Sequence, residues 1–299
     1  MAQASGIAAR LERLPLTPGF GLEMRGLDLS VPLSSDIVDE LRTAFDQRLL
    51  LVFRGQALSP EAHIAFSRNF GTLEVHVLDQ YHASRHPELF VLSNVGPDGR
   101  PNRVHPDRGT LVWHTDASWQ RRPAYATLLY AEAVPTAGGH TLFADTLSAF
   151  EALSEEDRAR LVTMRAMHDL SLSREKAGYG PLPPEQRAKA PAVEHPLVRT
   201  HPPTGRRGLY LGSHAHRILG LSELESAGLI ERLMAHTTEP RFVYDHTWRP
   251  GDLVMWDNRA VLHRATEYDT AVEPRIVRRS VITGDEVHAP RPLGPGTRC

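Results

Sequence analysis

The chain has 299 residues, enough for one large domain or two small ones around a buried core. Hydrophobic residues make up 41% and charged residues 23%, and a formal net charge of −2 gives no reason to expect nucleic acid or an anionic membrane surface as a partner. The single cysteine, Cys299, excludes intrachain disulfides and cysteine-ligated metal sites. Taken in chain order, Met1 to Pro15 carries Arg10, Glu12 and Arg13 with no continuous apolar stretch, which argues against a signal peptide. Ser34-Ser35-Asp36 caps a helix whose apolar positions are Ile37, Leu41 and Phe45. Leu49 to Phe53 reads as a buried strand, far too short to span a bilayer. Ser59-Pro60-Glu61 starts a second helix, with Gly71 just past its end. Tyr125 to Tyr130 reads as a strand, and Ser154-Glu155-Glu156-Asp157 starts another helix. Residues 174–203 are rich in Pro, Gly, Ala and charge and read as a long connection or lid. Leu209 to Gly212 is a short strand. Ser222 and Glu225 form a capping box before Leu229, Ile230, Leu233 and Met234. Leu253 to Trp256, Ala260 to His263 and Arg275 to Ile282 complete the strands, and the tail from about 285 reads as loosely ordered.

The segment Trp113-His114-Thr115-Asp116 carries the most information. Residues two apart in an extended segment share a face, so His114 and Asp116 can reach one ion if Leu111-Val112-Trp113 leads into them as a strand. His263, at the end of its own strand after Asp257-Asn258-Arg259, is the best candidate for a third ligand. Two histidines and one carboxylate are the protein ligands of mononuclear non-haem iron(II) oxygenases and leave coordination positions open. The pattern alone is weak, since the chain has 16 histidines and repeats it as His105-Pro106-Asp107 in a Pro- and Gly-rich stretch that reads as loop. His105 and His246 are therefore read as bystanders.

Arg275 follows at a distance that suits an anchor for an oxoacid cosubstrate. Arginine offers a planar bidentate partner for the carboxylate of 2-oxoglutarate that does not chelate iron. On one strand Arg275, Val277 and Arg279 share a face and Arg278 lies on the other, so Arg275 and Arg279 can serve two different anions. The plainer alternative is a basic strand edge that blocks aggregation. Trp113, Trp119 and Tyr125 are candidates to hold an aryl or alkyl substrate body, or else ordinary core.

Together with Leu51-Val52-Phe53-Arg54-Gly55-Gln56, residues 65–71, Gly138-Gly139-His140-Thr141, His195 to His201 and Gly251 to Ala265, these stretches resemble the taurine dioxygenase and 2,4-dichlorophenoxyacetate dioxygenase family. The resemblance covers most of the chain. It implies a mainly β fold with flanking helices around a double-stranded β-helix (jelly-roll) core, in a single domain over residues 1–299. It implies His114, Asp116 and His263 as iron ligands and catalytic centre, Thr141 and Arg275 as 2-oxoglutarate contacts, and Arg279 as the partner of the substrate anion. The chain departs from the family pattern at His140, where an aspartate is usual. By eye it lies closer to the aryloxyacetate branch than to the sulfonate branch.

The expected enzyme is an Fe(II)- and 2-oxoglutarate-dependent dioxygenase. It would use O2 to convert 2-oxoglutarate to succinate and CO2 while hydroxylating a small organic anion. A hydroxylated carbon that bears an ether oxygen would then lose it by C–O cleavage. An alkylsulfonate substrate is the alternative. From other classes, a zinc metallohydrolase suits the same three ligands, and a non-catalytic oxoacid-binding protein suits the same fold. A reducing cytoplasmic compartment fits ferrous iron, no nucleic-acid or membrane partner is expected, and homo-oligomer formation is left open. Residues 74–82, 94–109 and 174–203 are expected to shape the substrate pocket.

Overall fold

Leu50, Leu51, Val52 and Phe53 are all fully buried, because the strand they form is covered on both faces. Successive side chains of a strand point to opposite sides, so this run feeds two cores at once. Leu50 and Val52 join Phe90, Leu129, Val254, Trp256, Phe143 and Val261 on one side. Leu51 and Phe53 join Leu41, Phe45, Phe66, Leu128 and Met255 on the other. The structure, a computed structural model, describes residues 11–75, 82–83, 85–180 and 182–287.

The central sheet has eight strands in the order Glu12–Pro15, Leu22–Arg25, Leu50–Phe53, Leu253–Asp257, Ala124–Ala133, Ile276–Thr283, His86–Ser93 and His82–Ala83. Its outer face carries the helices Ser35–Arg48 and Pro60–Arg68, whose apolar stripes supply Leu41, Phe45 and Phe66. Against its inner face lies a three-stranded sheet of Val243–His246, Thr141–Asp145 and Val261–Ala265. A third sheet, Ala215–Ile218, Arg165–His168 and Val193–Pro196, shares an apolar cluster with the capped helix Glu223–Thr237 through Ala166, Ile218, Leu229 and Leu233. The architecture is thus mostly β with flanking helices.

The motif residues 54–56 turn out to be fastenings. Arg54 pairs with buried Asp252, and Gln56 accepts from the Leu29 amide (2.9 Å) while donating to the Leu27 carbonyl (3.1 Å). The capping box at Ser222 and Glu225 forms as expected, and the Ser59 hydroxyl caps the second helix at Ala62.

Three expectations need correction. Leu49 is the left-handed cap of the first helix (φ 65°), so the strand begins at Leu50. The strand expected at Leu209 to Gly212 instead spans Arg207–Leu209. Tyr210 then donates to the Leu197 carbonyl (2.8 Å) and Ser213 to the Trp113 carbonyl (2.9 Å), which carries the chain across toward the histidine motif. Residues 174–203 are not a bare connection, since they hold the helix Pro184–Lys189 and the strands Val193–Pro196 and Val198–Thr200. Met1–Arg10 and residues 76–81 lie outside the described residues, as does the expected loose tail from 288 onward. Among the described residues no helix is long and apolar enough to cross a membrane.

Candidate active site

His114 and His263 are joined backbone to backbone. Each amide donates to the other's carbonyl, at 3.0 and 2.8 Å. This is one isolated bridge: residues 111–113, expected as a strand, form none, and Leu111 ends the 3₁₀ turn Arg108–Leu111. The cause is local: the Asp107 carboxylate captures the Gly109 amide (2.9 Å) and curls the chain. After Asp116 the chain turns again at Ala117, with φ 55°. Gly212 fits the motif's close neighbourhood, because a Cβ there would stand 3.1 Å from the His114 Cα at φ 134°.

The expected triad nevertheless converges. His114 Nε2 lies 3.9 Å from Asp116 Oδ1, and His263 Nε2 lies 3.7 Å from Asp116 Oδ2. One ligand atom from each residue falls within 4.8 Å of the others, with all three side chains buried. His114 Nδ1 donates to the Val112 carbonyl (2.8 Å), and a carbonyl can only accept. That fixes the tautomer and leaves the Nε2 lone pair for a metal. His263 Nδ1 has no hydrogen-bond partner. Its ring is held by packing, 4.6 Å from Trp256 and 6.2 Å from Phe143 between centroids. Burial pushes His263 well below the ordinary histidine value, aided by His114, which favours the neutral ring that a metal ligand requires.

Asp116 is equally well defined. Its Oδ2 accepts from the Thr127 hydroxyl (2.7 Å) and its Oδ1 from Arg279 Nη1 (3.1 Å). Burial alone would raise its pKa, but Arg279, His263, His114 and the Thr127 hydrogen bond overcome that and hold it below the usual carboxylate range. Asn258 fixes the whole arrangement. Its Oδ1 accepts from the Asp116 amide and the Trp256 indole (both 3.1 Å), and its Nδ2 donates to Thr127 Oγ1 (2.9 Å). Its carbonyl accepts from the Thr115 hydroxyl (2.7 Å). The sequence marked this residue as part of a motif without assigning it a task.

Asp46, His201 and Asp257 also bring three possible ligands together. A guanidinium already fills that space: Arg259 Nη2 lies 2.6 Å from Asp257 Oδ2 and 3.3 Å from Asp46 Oδ1. Burial would raise the pKa of Asp257, but Arg259 and His201 overcome it and hold the carboxyl low. This is a structural clamp. Asp257→Asn should destabilise the fold by about 3–5 kcal/mol, the cost of leaving one partner of a buried pair alone, as read by urea unfolding. The sign follows from the lowered pKa. The contribution is complete above the unfolded aspartate value of roughly 3.9 and fades as pH falls toward the folded value.

A cavity beside the triad is lined by His114, His263, Trp256, Thr141, Arg275 and Leu129. Arg275 is buried, with its amide tied to the Asn94 side chain (2.7 Å). Among the described residues its Nε finds no partner, and no carboxylate pairs with it. Thr141 accepts from the Trp248 indole (2.9 Å), so its own proton is left for an acceptor in the cavity. Gly138 permits the turn before it, since a Cβ there would stand 2.4 Å from the Glu267 carbonyl oxygen. His140 points elsewhere, with Nδ1 2.9 Å from Asp245 Oδ1. His246, read as a bystander, is fully buried against Trp248 (4.5 Å between rings) and so buttresses the indole that holds Thr141. His105 stays apart from the triad, against Tyr268.

A second cavity opens on the other side of His114 and Asp116. Arg279, Glu74, Phe90, Trp119, His214 and Arg174 are among its walls. Arg275 and Arg279 do project to one side of their strand, while Arg278 faces the opposite core and pairs with Glu132 (2.8 Å). Of the aromatic candidates only Trp119 lines the space. Trp113 lies under Arg264, and Tyr125 packs against Phe45 and Arg259. His214 went unnoticed among the many histidines. Its Nδ1 lies 3.2 Å from the Ser118 hydroxyl, and burial drives its pKa down to about 3.

The chain matches the family model for the taurine catabolism dioxygenase TauD, TfdA family over residues 12–281. It is 39% identical to an alpha-ketoglutarate-dependent 2,4-dichlorophenoxyacetate dioxygenase of Cupriavidus pinatubonensis over 281 residues, covering 91% of this chain and 98% of the relative. It is 38% identical to an (S)-phenoxypropionate/alpha-ketoglutarate-dioxygenase of Sphingobium herbicidovorans, covering 91% and 94%. The crystal structure of AAD-2 in complex with Mn(II) and N-oxalylglycine superposes with a TM-score of 0.84 at 36% identity, covering 94% of this chain and 100% of that one. With the triad, the buried arginine and these likenesses in hand, the chain belongs to the TauD, TfdA family of taurine catabolism dioxygenases.

Proposed function

We propose that this chain is an Fe(II)- and 2-oxoglutarate-dependent dioxygenase acting on a small organic anion, an aryloxyalkanoate-like carboxylate, with release of succinate and CO2. One observation carries the reading: a single cavity is lined by His114 and His263, whose ligand atoms meet that of Asp116, and also by Thr141 and the buried Arg275, whose Nε has no partner among the described residues. The donor set suits ferrous iron, and the cationic end suits the distal carboxylate of 2-oxoglutarate. N-oxalylglycine, the ligand of AAD-2, differs from 2-oxoglutarate by a nitrogen in place of one methylene. Bound iron, with 2-oxoglutarate and O2, would supply the oxidising power for C–H hydroxylation.

The residues divide the remaining work. His114, Asp116 and His263 hold the metal on one side and leave the other side open. Arg275 and Thr141 fix the cosubstrate. Arg279 and His214 face the substrate cavity, and Arg279 offers the anion its partner. Phe90 and Trp119 give the apolar body its walls. We assign one domain with a double-stranded β-helix core, formed by the central sheet and the Thr141–Asp145 sheet facing it. A reducing, cytoplasmic setting suits the ferrous state.

The test is a panel of aryloxyacetates, alkylsulfonates and simple carboxylates, scored for succinate release with and without Fe(II) and O2. The aryloxyacetates should be turned over fastest, and only with both present. Preferred turnover of sulfonates would overturn the substrate class. Iron-independent hydrolysis would overturn the reaction class in favour of a metallohydrolase.

A further inference from the structure

Among the described residues three arginines are buried: Arg199, Arg275 and Arg278. Arg278 has a carboxylate partner in Glu132 and donates to the Leu58 carbonyl. Arg275 has no carboxylate, and its side chain lies where an oxoacid is expected. Arg199 likewise lacks a carboxylate partner among the described residues, but it lines a different cavity. It is 5% exposed, and among the described residues it forms no ion pair and its buried Nη1 has no hydrogen-bond partner. Its guanidinium lies 5.3 Å from the Tyr210 ring centroid, and the side chain of this neutral tyrosine is its strongest favourable neighbour, a partner that brings no full negative charge. The Asp257 carboxylate, which attracts it from a distance, is already occupied by Arg259 and His201. A buried guanidinium without an anion is costly, and a bound oxyanion is the simplest way to offset that cost.

The surroundings fit. Arg199 lines a solvent-open cavity together with Arg122, Arg207, Arg259 and Thr200. Four guanidiniums therefore border one space. Asp285 and Glu286 border it too, but both are exposed, where water and salt screen them more than they screen the buried group. No residue lining this cavity lines either cavity around the triad. We propose that Arg199 is the centre of a second binding site, separate from the active site, for a small oxyanion such as a phosphate or a carboxylate. Arg199 supplies the fixed, desolvated guanidinium, and Arg122 and Arg207 supply charge at the rim. Planar guanidinium geometry admits either oxyanion in bidentate fashion.

The experiment is calorimetric titration of the full chain with inorganic phosphate and, separately, with acetate, in a chloride buffer. Wild type should show saturable binding of at least one of the two, and the stronger arm identifies the oxyanion. Arg275→Gln should leave that affinity unchanged, because the oxoacid cavity is a different place. Arg199→Gln should weaken it at least tenfold, the loss expected for a charge-assisted contact. Should Arg199→Gln not fold, Arg199→Lys and the exposed-rim variant Arg122→Gln carry the test, each with a severalfold weaker affinity. Absence of saturable binding to wild type overturns the proposal. So does loss of binding in Arg275→Gln alone, or unchanged affinity in all the Arg199 and Arg122 variants that fold.

Discussion

Asp116→Asn should reduce succinate release to background, and His114→Ala and His263→Ala should do the same. Each ligand is held by a different device, so the three variants fail for one shared reason and differ in everything else. His114 is oriented by the Val112 carbonyl, His263 by Trp256 and Phe143, and Asp116 by Thr127 and Arg279. An open metal site with three protein ligands has no spare donor, so the loss of one removes both affinity and geometry. The aspartate variant should also lose stability, since Arg279 is left facing an uncharged amide in a buried setting, and by analogy with other broken buried pairs the loss is about 3 kcal/mol. The histidine variants should stay close to wild type in urea unfolding. Metal content by elemental analysis and succinate by chromatography check the first part. Full activity in any one of the three variants, or equal stability loss in all of them, would contradict the assignment. His105→Ala should keep wild-type turnover. His246→Ala should not, because it undermines Trp248 and through it Thr141.

Arg275→Lys should raise the apparent KM for 2-oxoglutarate by roughly ten- to a hundredfold, the equivalent of one charge-assisted contact. The lysine keeps the charge but loses the planar fork. Burial already works against the charge at this position, and an ammonium, being more strongly hydrated, bears that burial worse. Arg279→Ala should behave differently. It removes the proposed partner of the substrate anion and one of the two side-chain hydrogen bonds that hold the Asp116 carboxylate. Its KM for the primary substrate should rise while the affinity for 2-oxoglutarate holds. Steady-state kinetics with each substrate varied in turn separates the two cases. Swapped phenotypes would reverse the roles.

Much of this site was legible in the sequence, and the reasons are physical. Strand alternation alone placed Arg275 and Arg279 on one side and Arg278 on the other, and the structure keeps that division despite a register shift after Ile276. The capping box and the Ser59-Pro60 start are local hydrogen-bond chemistry and came out as read. What failed were features decided by tertiary contacts. Leu111 to Trp113 looked like a strand, but the Asp107 side chain takes the Gly109 amide and starts a 3₁₀ turn that runs on to Leu111. Residues 174–203 looked structureless because short strands buried against another layer show no alternation. Asn258 and His214 carried no local pattern, since their tasks exist only once residues distant in sequence meet. The aromatic candidates divided in the same way: Trp119 lines the cavity and Tyr125 does not, although both precede or begin the same strand.

The backbone bridge between His114 and His263 has a consequence for how the protein comes into being. Two of the three ligands are separated by about 150 residues of chain, and a closure of that length gains nothing until both partners are already in place. On the ribosome, therefore, the site is absent until the strand bearing His263 has left the exit tunnel. Until then His114 and Asp116 lack the third side chain of the proposed metal site, so the three-residue arrangement can form only late in synthesis.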